Sequence, residues 1–236
     1  MAIIESIGIS NPEYKMKQME LADTIKHILD LDIRNAKILD AIFLSSGILT
    51  RYSVIQDFIK KPEEFTFFPK DRKHPLPSTS ARMKIHEDNA LSLSLKAVED
   101  CFVKIENFNK NKITHIITVS CTGMYSPGID IELIHKLELP SNINRAAINF
   151  MGCYGAINGL KLADAICQAD KEAVVLLVAI ELCTLHLQKD TAMDKLIGSA
   201  LFGDGAAAMI ISNNLQSKKS FLTRGAEISG ACPRDG

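Results

Sequence analysis

Met151-Gly152-Cys153-Tyr154-Gly155 stands between an apolar stretch, 146–151, and a run of helical periodicity that begins at Gly155. A cysteine in such a turn sits at a helix N-terminus, where aligned peptide dipoles carry about half a positive charge. That favours the thiolate over the thiol. A thiolate is a good nucleophile and a thiol ester leaves readily, so the position suits acyl transfer. Backbone N–H groups of the same turn would bind the oxyanion of a tetrahedral intermediate. A small buried residue that merely fits a tight turn satisfies the same spacing, and the residues alone leave both readings open. Two further segments draw attention. Leu201-Phe202-Gly203-Asp204-Gly205 leads into small residues, and two glycines around an aspartate mark a close backbone approach before a strand. Ser120-Cys121-Thr122-Gly123, leading to Pro127-Gly128, lies just past an apolar stretch, on the edge where Cys153 is expected.

The elements that must position these residues follow from periodicity. Short β-branched or apolar runs at 3–9, 114–120, 146–151, 173–180 and 206–211 read as strands. Helical spacing covers 16–31, 36–44, 81–105, 127–137 and 155–169. Ser78-Thr79-Ser80 offers N-caps to the longest helix, whose expected stripe is Ile85, Leu95, Val98, Phe102 and Ile105. Four of the eight prolines fall within 62–77, so that segment is a long loop. Its Lys70, Arg72, Lys73 and His74 read either as a solvated basic face or as the edge of a site for an anionic substrate. Alternating strands and helices, with several strands apolar throughout, imply an α/β fold: a largely parallel sheet covered by helices on both faces. Right-handed crossovers then gather the strand-to-helix turns on one edge, where ligands bind.

Composition narrows the classes. Of 236 residues, 27 are basic and 28 acidic, a formal net charge of -1, so no global positive field exists to hold nucleic acid. No apolar run approaches the roughly 18–20 residues of a membrane span, and the N-terminus lacks a signal-peptide layout. Neither nucleic acid nor membrane is an expected partner. The six cysteines, Cys101, Cys121, Cys153, Cys167, Cys183 and Cys232, are dispersed and form no CxxC pair. That argues against a zinc site or disulfide framework and fits reduced thiols in a cytoplasm.

The order of the segments resembles the N-terminal half of a type III polyketide synthase, the chalcone and stilbene synthase family of the thiolase-like fold. The resemblance is carried by Gly47–Tyr52, by the helix start from Pro77 to Arg82, by the strand from Thr114 through the Pro127-Gly128 loop, by 145–163 around Cys153, and most closely by 196–208. It spans nearly the whole chain and implies a thiolase-like αβα half with a mixed five-stranded sheet. It also implies roles. Cys153 matches the catalytic cysteine that accepts an acyl group from coenzyme A. Phe202 matches a gatekeeper aromatic between the coenzyme A tunnel and the cavity, and Gly198 and Gly203 match small cavity-lining residues. Cys121, Cys183 and His186 match positions that shape starter and cyclisation pockets. Arg51 lies in the segment whose basic residues meet coenzyme A phosphates. Gly155-Ala156-Ile157 departs from the family's usual Ala-Gly-Gly, and Ser126 from its usual Met.

The implied enzyme is an acyltransferase that condenses an acyl-CoA starter with malonyl-CoA, with coenzyme A thioesters as substrates and no other cofactor or metal. The family's catalytic His and Asn belong to a C-terminal half that this chain is expected to lack, so 1–236 reads as an N-terminal domain that is inactive as this fragment. Strand 146–151 is expected to pair two copies into a homodimer. Ketoacyl synthase III-like or hydroxymethylglutaryl-CoA synthase-like chemistry is the alternative within the fold. A non-catalytic dimerising half-module is the alternative outside it.

Overall fold

The computed structural model describes residues 2–213; Cys232 lies outside them. Five strands form one sheet in the order β1 (Ile3–Ser10), β7 (Asp204–Ser212), β6 (Val174–Leu182), β4 (His115–Ser120), β5 (Asn144–Asn149). β4 runs parallel to β5 and β6, whereas β7 runs antiparallel to both β6 and β1. The sheet is therefore mixed rather than largely parallel. The β7 connection reverses through α6 (Met193–Leu201), a nine-residue helix that was not among the expected elements.

β4 and β6 are largely apolar because both of their faces are covered. Ile116, Leu176, Val178 and Ile180 face a core built with α1 (Gln18–Leu29), α2 (Ile33–Ser45), α3 (Thr79–Phe102) and α4 (Ile129–Leu137). Ile117, Val119, Val175 and Leu177 face a second, smaller core under α5 (Gly155–Ala169). β5 is the outer strand beyond β4, and most of its residues are exposed or half-buried.

Local chemistry explains the boundaries. Met16 and Lys17, expected to open a helix, belong to a strand instead: β2 (Tyr14–Lys17) pairs antiparallel with β3 (Thr50–Ser53), so α1 begins only at Gln18. The Ser78 hydroxyl caps α3 by accepting from Ala81 N–H at 3.2 Å. The buried stripe of α3 is His86, Ala90, Leu93, Ser94, Ala97, Val98 and Cys101; of the expected residues Val98 belongs to it, whereas Ile85, Leu95, Phe102 and Ile105 pack half-buried against the core. Close approach selects the small side chains: a Cβ on Gly8 of β1 would lie 2.1 Å from the Ala97 carbonyl oxygen and 2.2 Å from Cys101 N. Among the described residues, no helix is long and apolar enough to cross a membrane.

Candidate active site

The parallel strands β4, β5 and β6 end together, with Ser120 beside Asn149, and Asp204 at the start of β7 pairs with Leu182. The loops that follow carry Cys121, then 150–154, then the turn Cys183–His186. The turn after β5 is unusual. Phe150 has φ 59° and Gly152 φ 63°, both left-handed. A non-glycine residue there costs about 1–2 kcal/mol, and such outliers cluster at functional sites. Gly152–Tyr154 forms a single 3-10 turn that feeds directly into α5, and no side chain caps the helix. Cys153 is exposed, so it is not the small buried residue that the spacing also allowed.

α5 sits close on the sheet because of two glycines. A Cβ on Gly155 would lie 2.9 Å from Val119 Cγ1, and one on Gly159 2.7 Å from Leu177 Cδ1. The departure at Gly155-Ala156-Ile157 is thereby explained: Gly155 faces the sheet, while Ile157 is 45% exposed and meets no core.

Beside this turn lies a cavity of about 430 Å³. Cys121, Cys183, His186, Gly198, Phe202 and Arg51 all line it, with Leu21, Ile25 and Leu29 of α1 forming an aliphatic wall. Cys153 stands just outside the lining. Its position is tied to the cavity through Cys121, whose thiol donates to the Gly152 carbonyl at 3.5 Å. Gly198 leaves room for the Phe202 ring, which would lie 3.7 Å from a Cβ there. Gly203 is not among the lining residues; it lies against Arg51 and the Tyr52 carbonyl.

Arg51 departs from its expected role. It is 6% exposed, and its terminal nitrogens donate to the carbonyls of Ser199 and Phe202. Burial pulls its pKa down to about 10, against the pull of Asp204. A guanidinium engaged in this way holds the end of α6 and is not free to meet a phosphate in solvent.

A frame of buried carboxylates fixes the other loops. Asp204 accepts from Val54 N–H at 2.9 Å, Thr184 N–H at 2.8 Å and the Thr184 hydroxyl at 2.7 Å. Burial pushes its carboxyl up, while these donors pull it down. Glu181 accepts from Cys121 N–H at 2.9 Å and from the Thr122 hydroxyl at 2.7 Å, and burial likewise raises its pKa. His186 donates through Nε2 to the Thr122 carbonyl at 2.7 Å and faces Arg82 Nη1 at 3.0 Å through Nδ1. With both nitrogens engaged, His186 shapes the pocket and is not poised as a general base. His86 is 2% exposed, and burial lowers its pKa to about 4.

Sequence reasoning missed Glu181, Arg82 and the α1 wall. A signal for Glu181 existed: it is the one acid in the otherwise apolar run of β6. The wall of α1 left no such signal, since its residues also belong to the core.

Comparison with known proteins agrees with this geometry. Residues 1–214 match the family model for the N-terminal domain of chalcone and stilbene synthases. The chain is 34% identical over 171 residues to type III polyketide synthase A of Arabidopsis thaliana, covering 71% of this chain and 41% of that protein. It is 26% identical over 219 residues to the alpha-pyrone synthesis polyketide synthase-like Pks18 of Mycobacterium tuberculosis, covering 93% and 53%. The solved C-terminal type III polyketide synthase domain of Steely1 from Dictyostelium superposes with a TM-score of 0.81 at 28% identity, covering 90% of this chain and 56% of that one. The chain thus spans about half the length of most of these relatives, and its mixed sheet between helices is a thiolase-like arrangement. It belongs to the chalcone and stilbene synthase family of type III polyketide synthases, within that family's N-terminal domain.

Proposed function

We propose that the chain carries the acyl-accepting part of a type III polyketide synthase, with Cys153 as nucleophile. The Cys153 thiolate attacks the carbonyl carbon of an acyl-coenzyme A. The tetrahedral oxyanion collapses, the carbon–sulfur bond to coenzyme A breaks, and coenzyme A leaves as its thiolate. One observation carries this reading: an exposed cysteine in a left-handed turn that runs into an uncapped fifteen-residue helix. The N-terminal dipoles of α5 favour the oxyanion of the tetrahedral intermediate. The neighbouring cavity receives the acyl group, and its aliphatic α1 wall suits an apolar chain. Coenzyme A thioesters enter as substrates, and the reading calls for no metal or prosthetic group.

Decarboxylation of malonyl-CoA and condensation need a donor beside the malonyl carbonyl to stabilise the enolate. Of the imidazoles at this edge, His186 is engaged at both nitrogens and His86 is buried. The reading is therefore that the chain loads an acyl group, and that condensation draws on residues outside 2–213. Among the described residues β5 has one edge without a partner strand, which supports pairing of two copies through 146–151, since an unpaired strand edge invites association.

Iodoacetamide labelling at neutral pH tests the nucleophile. Cys153 should alkylate at least about tenfold faster than N-acetylcysteine, as helix-activated thiols do. A rate equal to or below that of the free thiol rules the reading out.

A further inference from the structure

Acyl transfer uses one thiol, yet Cys121 and Cys183 also stand at these strand ends, and both line the cavity. Cys121 is half-buried, and its thiol reaches the Gly152 carbonyl oxygen at 3.5 Å. That carbonyl belongs to the peptide joining Gly152 to Cys153. In a trans peptide the carbonyl oxygen and the next Cα are about 2.8 Å apart, so Cys121 Sγ lies at most roughly 6 Å from Cys153 Cα. In a disulfide those atoms lie roughly 4 Å apart, a closure that needs the Cys121 side chain to rotate off the Gly152 carbonyl, or the exposed turn to shift toward it, by about 2 Å. Cys183 is the poorer candidate. Burial, then Glu181, Asp204 and Cys153 itself, push its thiol up to about 12, and exchange needs a thiolate.

We propose that Cys121 is a resolving thiol for Cys153, so that hydrogen peroxide converts the nucleophile to a reversible intramolecular disulfide instead of a dead-end acid. This rests on the reading of Cys153 as an activated thiolate. In the first step the Cys153 thiolate attacks one peroxide oxygen. The O–O bond breaks, hydroxide leaves, and the sulfur is oxidised to a sulfenic acid. In the second step the Cys121 thiolate attacks that sulfur. The S–O bond breaks, the departing hydroxide takes up a proton to become water, and the S–S bond forms. Peroxide accepts two electrons in all, and a thiol reductant returns both cysteines. A sulfenic acid with no neighbouring thiol proceeds to sulfinic acid, which thiol reductants do not reverse.

The full chain is treated with dilute hydrogen peroxide, blocked with iodoacetamide, digested and mapped by mass spectrometry, with and without dithiothreitol. The expected result is a linked pair of peptides carrying Cys121 and Cys153, about 2 Da below their reduced sum, with alkylation of Cys153 restored by reductant. Cys121→Ser and Cys121→Thr should accumulate Cys153 sulfinic acid and recover about tenfold less reducible thiol. Cys183→Ser should keep the link. Equal sulfinic yield in wild type and both Cys121 variants overturns the proposal, as does a link to Cys183 or between chains. Alkylation of the untreated protein separates the two readings. Slow Cys153 labelling removes the functional reading along with this one, whereas fast labelling without the 121–153 link removes this one alone.

Discussion

The two ends of the site's edge are built differently. At the β6–β7 end, Asp204 gathers Val54 and Thr184, Glu181 gathers Cys121 and Thr122, and Arg51 holds the end of α6. At the β5 end the backbone turns left-handed at Phe150 and Gly152, and Phe150, Met151 and Tyr154 are 66%, 51% and 52% exposed. The first end is a frame of buried, multiply bonded groups. The second is a strained, open turn that carries the exposed Cys153. Stability and reactivity should therefore separate, and variants at each end can break or sharpen that division.

The largest expected effect is chemical. Cys153→Ser should abolish acylation by acyl-CoA, at least about a thousandfold, because a hydroxyl is a far weaker nucleophile at neutral pH. Its stability in urea should change by less than about 0.5 kcal/mol, as for other exposed substitutions. A large loss of stability would show that the turn is part of the frame.

Asp204→Ala is the converse. It strands the N–H groups of Val54 and Thr184 and should cost roughly 3–5 kcal/mol in urea denaturation. A cost under about 1 kcal/mol would mean that the frame is not where stability lies.

His86 gives the frame a pH signature. Burial holds its pKa at about 4 against an ordinary 6.5, so between these values the unfolded chain binds the extra proton. Its contribution is complete above pH 6.5 and lost as pH falls toward 4, by up to roughly 3 kcal/mol. Glu181 and Asp204, with raised pKa values, act in the opposite direction. His86→Gln should flatten the acid limb relative to wild type while leaving the curve above pH 6.5 parallel. An unchanged acid limb would contradict the assignment.

The smallest effect is at Phe150. Glycine there relieves the left-handed strain but loosens the unfolded chain, so Phe150→Gly should shift stability by less than about 1 kcal/mol. It should nevertheless slow Cys153 alkylation, because the turn loses its set geometry. Unchanged labelling would show that the strain has no role in presenting the thiol.

Much of this was legible in the residues because two signals are local. Apolar runs marked β4 and β6, whose two faces are both covered, and Gly155 with helical spacing marked α5 to its observed ends. What stayed hidden depends on partners distant in the chain. Met16 and Lys17 follow β pairing with Arg51 and Thr50 rather than their helical spacing. The buried stripe of α3 was displaced by the close approach of Gly8. The resemblance implied Arg51 near a coenzyme A phosphate, yet carbonyls some 150 positions away hold its guanidinium. The direction of β7 depends on α6, a nine-residue helix that was not among the expected elements.

The central claim is that Cys153 accepts an acyl group, and intact-mass and peptide mapping after incubation with an acyl-CoA measure it directly. The account predicts one acyl group per chain, held as a hydroxylamine-labile thioester on the peptide containing Cys153 and absent from Cys153→Ser. No adduct, or an adduct on Cys121, Cys183 or another cysteine with Cys153 unmodified, would contradict it.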